Sequence, residues 1–224
     1  MSTYILNIET STKACSVAIH KNGNLIALKE SVTENFSHSE KLLVFVGELI
    51  ENSQIRLSDL SAIAVSMGPG SYTGLRIGVA TAKGLCYGLN IPLISISTLK
   101  SMSLGMSLKK KGDLFCPMID ARRMEVYSAF FDIHNIRKRK IQADILDANS
   151  YKNELKEKVI FFGDGSDKAK EVIKNKNAIF ITDFYPSANF IGMLSYQKFL
   201  DSDFEDLAYF EPFYLKDFVT GKKN

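Results

Sequence analysis

Apolar residues recur along this chain with two different periods, and the points where the period changes mark its elements. Tyr4 to Ile8 is a short apolar run closed by the polar turn Thr10-Ser11-Thr12, which predicts a first strand. Cys15 to Ile19 predicts a second strand and Leu25 to Leu28 a third. Asn22-Gly23 between them supplies the left-handed conformers of a tight hairpin turn. An antiparallel meander therefore opens the chain.

A helical period follows. Ser37-His38-Ser39-Glu40 has the spacing of a capping box, and Leu42, Phe45, Val46, Leu49 and Ile50 then recur on one face. Leu43 and Val44 widen that stripe beyond what one core face requires, so the helix Glu40 to Asn52 is expected to be covered on two sides, one of them by another protein. Ala62 to Val65 is a buried strand that runs into the turn Gly68-Pro69-Gly70-Ser71. The helix Thr73 to Leu89 carries Gly74, Gly78 and Ala82 four residues apart. Each helical glycine costs about 1 kcal/mol against alanine, so a close backbone neighbour is expected along that stripe. Asn90-Ile91-Pro92 ends the helix, and Leu93 to Ile96 completes a βαβ unit with parallel pairing.

The lysines near Lys110 and the following Gly112 mark a boundary, dividing the chain into a lobe of residues 1–105 and a smaller one of 106–224. In the second lobe, strands are predicted at Leu114 to Ile119, Glu125 to Phe131, Val159 to Phe162 and Ile179 to Ile181. Helices are predicted from Asp167 to Ile173 and from about Ser187 to Leu200. No internal repeat is evident.

Charge narrows the function little. The 224 residues carry 28 basic and 25 acidic side chains, a net +3, too balanced to impose a nucleic-acid or membrane partner. The basic runs Lys109-Lys110-Lys111, Arg137-Lys138-Arg139-Lys140 and Lys222-Lys223 are short, and solvated loops are expected there. Cys15, Cys86 and Cys116 lie far apart among apolar neighbours, without disulfide or metal spacing. His20, His38 and His134 include no pair four residues apart. No apolar run has membrane-spanning length and no leader is apparent, so a cytoplasmic protein is expected.

Four stretches carry a resemblance. Ile8-Glu9-Thr10-Ser11-Thr12-Lys13-Ala14-Cys15-Ser16-Val17-Ala18, His38-Ser39-Glu40, Gly68-Pro69-Gly70-Ser71-Tyr72-Thr73-Gly74-Leu75-Arg76-Ile77-Gly78 and Ile119-Asp120-Ala121-Arg122-Arg123-Met124-Glu125-Val126-Tyr127 are similar to the TsaB (YeaZ) family. These are bacterial accessory proteins of threonylcarbamoyladenosine synthesis on tRNA. The resemblance is close over the first 130 residues and looser beyond. It implies an α/β fold of the actin, sugar-kinase and Hsp70 type (ribonuclease H-like), with two lobes and mixed sheets. It also implies a catalytic paralogue, TsaD, as partner and TsaE as a third protein. The complex would act on adenosine 37 of tRNAs reading codons that start with A, so tRNA is met only through the complex.

The same resemblance places the paralogue's metal-binding HxxxH pair at Thr98 and Met102, neither a fitting ligand, which implies a non-catalytic subunit without metal or cofactor. Glu9 stands where the family usually has Asp. Glu9, Ser11, Gly68, Gly70 and Arg76 are candidates for a vestigial or shared nucleotide site, although the turn Thr10 to Lys13 has no glycine to let phosphate approach. Leu42, Leu43, Val46, Leu49, Gly74, Leu75, Gly78, Ala82 and Leu85 on the two helices are the candidate partner interface, which could also form a homodimer in the chain alone. An independent ATPase or small-molecule kinase, a metallopeptidase and an autonomous tRNA binder stand beside this reading as alternatives.

Overall fold

The structure is a computed structural model that describes residues 2–33 and 38–216. The meander forms as expected: β1 (Tyr4–Glu9), β2 (Ala14–Lys21) and β3 (Asn24–Val32) pair antiparallel, with Asn22 at φ 49° and Gly23 at φ 79° in the intervening turn. Then come α1 (His38–Ser53), β4 (Ala62–Gly68), α2 (Tyr72–Leu89) and β5 (Leu93–Ser97). β4 joins β1 and β5 joins β4, both parallel, so the sheet order is β3-β2-β1-β4-β5. Ser37, the expected cap of α1, lies outside the described residues. Ser71 caps α2, its hydroxyl accepting from Gly74 N at 3.3 Å, and Asn90 closes that helix in a left-handed conformation.

Side-chain alternation along β1 divides the first lobe into two layers. Leu6 and Ile8 meet Leu42, Phe45, Val46 and Leu49 of α1 and Val79, Ala82 and Cys86 of α2. Ile5 points the other way, into a cluster with Ala62, Ala64, Ile94, Ile96 and Ile191.

The second lobe repeats the plan. After α3 (Thr98–Ser107) come β6 (Leu114–Asp120), β7 (Glu125–Phe131), β8 (Arg137–Ile145), β9 (Val159–Phe162), α4 (Ser166–Val172) and β10 (Ala178–Ile181). Their order is β10-β9-β6-β7-β8, with β6, β7 and β8 antiparallel and β9 and β10 parallel. Read from β6, this is the order of the first sheet, a duplication visible in topology although not in sequence. Helix α5 (Gly192–Leu200) crosses back to the first lobe, where Leu194, Tyr196 and Phe199 pack on the β1 side cluster. The remaining chain straps the same lobe: Glu205 N donates to Leu93 O, Phe213 N donates to Met67 O, and Phe210 enters the core.

Three features depart from the sequence expectation. Helix α3 was not expected; it sits between the lobes with Leu99, Met102 and Met106 in the second-lobe core. The run Arg137 to Lys140 is the edge strand β8, not a solvated loop. Its Arg139 turns inward, donating to Asp144 Oδ2 at 2.6 Å and Ser128 Oγ at 2.6 Å and lying over the Phe130 and Tyr151 rings. Its other three cations are exposed, the usual protection of a sheet edge. The helix expected from Ser187 is a 3-10 turn, Ala188–Phe190, followed by the shorter α5. The second run expected in a loop, Lys109 to Lys111, is exposed just past α3, and Lys222-Lys223 lies outside the described residues. Among the described residues no helix is long and apolar enough to cross a membrane. Cys15, Cys86 and Cys116 are buried free thiols, and burial pushes Cys15 up to about 11 and Cys86 up to about 12.

Candidate functional site

Glu9 ends β1 and is fully buried. Its Oε1 accepts from Ser11 N at 2.6 Å and Ser66 Oγ at 2.9 Å, while Oε2 has no hydrogen-bond partner. Burial pushes the carboxyl up, against those hydrogen bonds, because a desolvated charge is costly. The turn after Glu9 is clamped from below by α2. Thr10 Oγ1 donates to Gly74 O at 2.9 Å, Ser71 N donates to Ser11 O at 2.6 Å, and His38 Nε2 lies 2.8 Å from Thr12 O. A Cβ at Gly74 would meet Thr10 O at 2.1 Å, one at Gly78 would meet Thr10 Oγ1 at 2.2 Å, and one at Gly70 would meet Ser11 O at 2.4 Å.

The close neighbour that the glycine stripe calls for is thus the chain's own first turn. Glu9, Ser11 and Gly70 do come together. Gly68, at φ 113°, lies under the C-terminal strap, where a Cβ would meet Phe213 O at 2.7 Å. Arg76 is elsewhere: on the outside of α2 it lies 4.6 Å over the Tyr72 ring and bonds Tyr214, whose ring is 4.9 Å from that of Tyr72.

A second turn, Asp120 to Glu125, holds the equivalent place in the other lobe. Arg122 and Arg123 both have left-handed φ, 68° and 47°, a conformation costly for residues with a Cβ. Lys168 holds it there, donating to Arg123 O at 2.7 Å and Glu125 O at 2.8 Å and pairing with Asp120 Oδ2 at 3.0 Å. Asp164 Oδ1 accepts from Asp120 N at 3.0 Å. Burial pushes the Asp164 carboxyl up, while Lys13 of the first turn opposes that shift, so the two turns face each other between the lobes. In the sequence Gly163-Asp164-Gly165 reads as either a phosphate-contacting turn or, more simply, a strand-to-helix turn, and it does lead from β9, beside β6, into α4; Lys168 carries no sequence signal of its own.

Thr98 and Met102 are both fully buried, and among the described residues no three His, Cys, Asp or Glu side chains stand together as a metal site. The residues present do not fit the paralogue's metal.

The outer face of α1 and α2, which pack side by side, is a different surface from the one expected. Leu42, Val46, Leu49, Gly74, Leu75, Gly78 and Ala82 are all buried in this chain, because the sheet takes that side of both helices. Leu85 is half-buried against the same core, and Leu43 is 60% exposed. Outside with Leu43 are Val44 and Tyr87, 54% and 82% exposed. Gly47, Gly84 and Gly88 share this face, and a Cβ at any of them would meet nothing within 4 Å.

Two mixed sheets of one strand order, joined so that their first turns face each other, define a two-lobed α/β protein of the actin-like class. The profile of the family described as "TsaD: tRNA N6-adenosine threonylcarbamoyltransferase" matches residues 33–220. The "tRNA threonylcarbamoyladenosine biosynthesis protein TsaB" of Escherichia coli is 40% identical over 125 residues, 56% of this chain and 53% of that protein. The protein of the same name from Buchnera aphidicola subsp. Baizongia pistaciae is 30% identical over 221 residues, 95% of this chain and 98% of that one. YeaZ from Pseudomonas aeruginosa superposes with a TM-score of 0.80 at 23% identity, over 95% of this chain and 100% of that chain. The activator of 2-hydroxyisocaproyl-CoA dehydratase from Clostridium difficile, with bound ADPNP, shares the fold at a TM-score of 0.52, 10% identity, and 91% and 97% coverage. The chain belongs to the TsaB family of tRNA threonylcarbamoyladenosine biosynthesis proteins, within the wider family whose profile carries the TsaD name.

Proposed function

We propose that the chain is a non-catalytic, cytoplasmic subunit that docks on a TsaD-type enzyme through the open face of α1 and α2, with TsaE joining and tRNA met only within the complex. One observation carries the docking: Gly47, Gly84 and Gly88 are exposed helical glycines with open space above them. Each costs about 1 kcal/mol against alanine, and nothing among the described residues offsets it. Close approach of another helix pair does, and Leu43, Val44, Tyr87 and half-buried Leu85 supply apolar contact around it. The absence of ligand chemistry at Thr98 and Met102 supports an accessory role. The same face, left uncovered, favours a homodimer of the isolated chain.

Calorimetry with purified TsaD, using the wild-type chain and Leu43→Glu/Tyr87→Glu, tests the reading. Micromolar or tighter association that the double variant abolishes supports it. No association by the wild-type chain, or threonylcarbamoyl transfer by this chain alone, overturns it.

A further inference from the structure

A cavity of about 670 Å³ opens away from the two turns, between α3, the hairpin joining β7 to β8, and α5. Its volume is that of a small-molecule site. Three residues able to carry positive charge line it: Lys100 from the first turn of α3, His134 from the hairpin and Arg137 from the start of β8. They come from two elements far apart in sequence. Among the described residues no acidic side chain lines the cavity, and neither Lys100 nor Arg137 forms an ion pair. The nearby carboxylate of Asp132 is already engaged, by Lys138 at 2.8 Å and by the amides of His134 and Ile136 at 2.9 Å.

Two buried polar atoms of lining residues have no hydrogen-bond partner: Ser97 Oγ and Asn135 Oδ1. Such atoms are rare in folded proteins, because an unmet buried polar group costs about 1–3 kcal/mol. Asn135 is fixed in place, its Nδ2 donating to Lys100 O at 3.2 Å, which leaves Oδ1 as an acceptor in need of a donor. Ser97 is the N-cap position of α3 but makes no side-chain cap bond, so the positive end of that helix lacks its usual local acceptor. Phe131, Ile141, Leu104 and Leu194 give the remaining wall an apolar character.

We propose that this cavity binds a small phosphate monoester with a partly apolar body. The phosphoryl oxygens accept from Lys100 and from the guanidinium fork of Arg137, which suits phosphate geometry, with His134 as a further donor. The body of the ligand lies on the apolar wall. The site shares no lining residue with either turn, and this reading does not depend on the docking face.

Titration of the full chain by calorimetry with adenosine 5′-monophosphate, adenosine and inorganic phosphate tests it, the first compound having both the phosphate and the body, adenosine lacking the phosphate and inorganic phosphate lacking the body. Saturable binding of the monophosphate is expected, with both partial probes at least about tenfold weaker. Lys100→Ala and Arg137→Ala are each expected to weaken it about fivefold and the double variant to abolish it. Both residues are exposed, and an unchanged melting temperature shows that the variants fold. Absence of saturable binding overturns the proposal. So does binding that survives in the double variant, which would belong elsewhere on the chain, and so does equal affinity for inorganic phosphate.

Discussion

One substitution, glycine to alanine, made at two positions of α2 separates the role of the helix's two sides. At Gly78 the new methyl would stand 2.2 Å from Thr10 Oγ1, so Thr10 has to move and its hydrogen bond to Gly74 O is strained or lost. Overpacking of this kind costs about 1–3 kcal/mol and the hydrogen bond about 1 kcal/mol more, against a gain of about 1 kcal/mol in helix propensity. The net loss is about 2 kcal/mol, a fall of about 4–8 °C in melting temperature for a chain of this length. At Gly84 the methyl meets nothing, so the propensity gain stands alone and the free chain melts about 2–4 °C higher.

In the proposed complex the order reverses. A methyl at Gly84 stands in the way of a closely approaching helix, and the overpacking cost lowers affinity for TsaD about tenfold. Thermal unfolding of the isolated variants at low concentration and calorimetry of their complexes measure the two quantities. A Gly84→Ala chain that is more stable and still binds at wild-type affinity would refute close helix approach at this face. A Gly78→Ala chain as stable as wild type would refute the packing of α2 on the first turn.

Further outcomes follow from the buried polar groups. Burial lowers His20 to about 4 from 6.5, so the folded chain holds it neutral while the unfolded chain protonates it first; the associated stability is complete above about pH 6.5 and is lost as pH falls towards 4. The shift corresponds to about 3 kcal/mol, and urea unfolding at pH 7 and 4.5 should show a larger loss of stability on acidification in wild type than in His20→Gln. Glu9 works in the opposite direction: burial raises its folded pKa above 4.5, so it weakens the fold as pH rises through that range, and Glu9→Gln should stabilise the chain at pH 7 but not at pH 4. Arg139→Ala leaves Asp144 and Ser128 without their main donor inside the second lobe, and a loss of about 2–3 kcal/mol in urea unfolding is expected, less than for a fully buried pair because both side chains keep some solvent contact.

The parts of the fold legible in the sequence show one of two patterns. β1, β2, β4, β6 and β7 show an apolar run bounded by turn residues, being buried on both faces, and α2 shows one apolar side at helical period. Helix α3 does not, because it is wedged between the lobes: Ser101 and Ser103 are buried beside Leu99 and Met102, which erases the contrast between apolar and polar sides. Strand β8 is hidden for the opposite reason, its charges being those of a protected edge. On α2 the difficulty is subtler, since two small-residue stripes run along it, Gly74-Gly78-Ala82 and Ala80-Gly84-Gly88. Periodicity shows both and cannot say which faces inward; the burial of Leu75, Val79 and Cys86 decides it.

The duplication also bears on why the proposed docking belongs to the first lobe. Both sheets have the same strand order, yet their helical layers differ. Between β3 and β4 stands the 16-residue α1, and between β4 and β5 the 18-residue α2. Between β8 and β9 the second lobe has a 3-10 turn, Glu154–Lys156, and between β9 and β10 only the 7-residue α4. Helices of two turns or fewer can cover a sheet but offer little outer surface, whereas α1 and α2 are long enough to be buried on one side and open on the other. Gly47, Gly84 and Gly88 lie on the open side of these long helices. A fold under selection only for its own stability would place alanine there, so the glycines are better explained by what approaches them from outside than by anything the chain does alone.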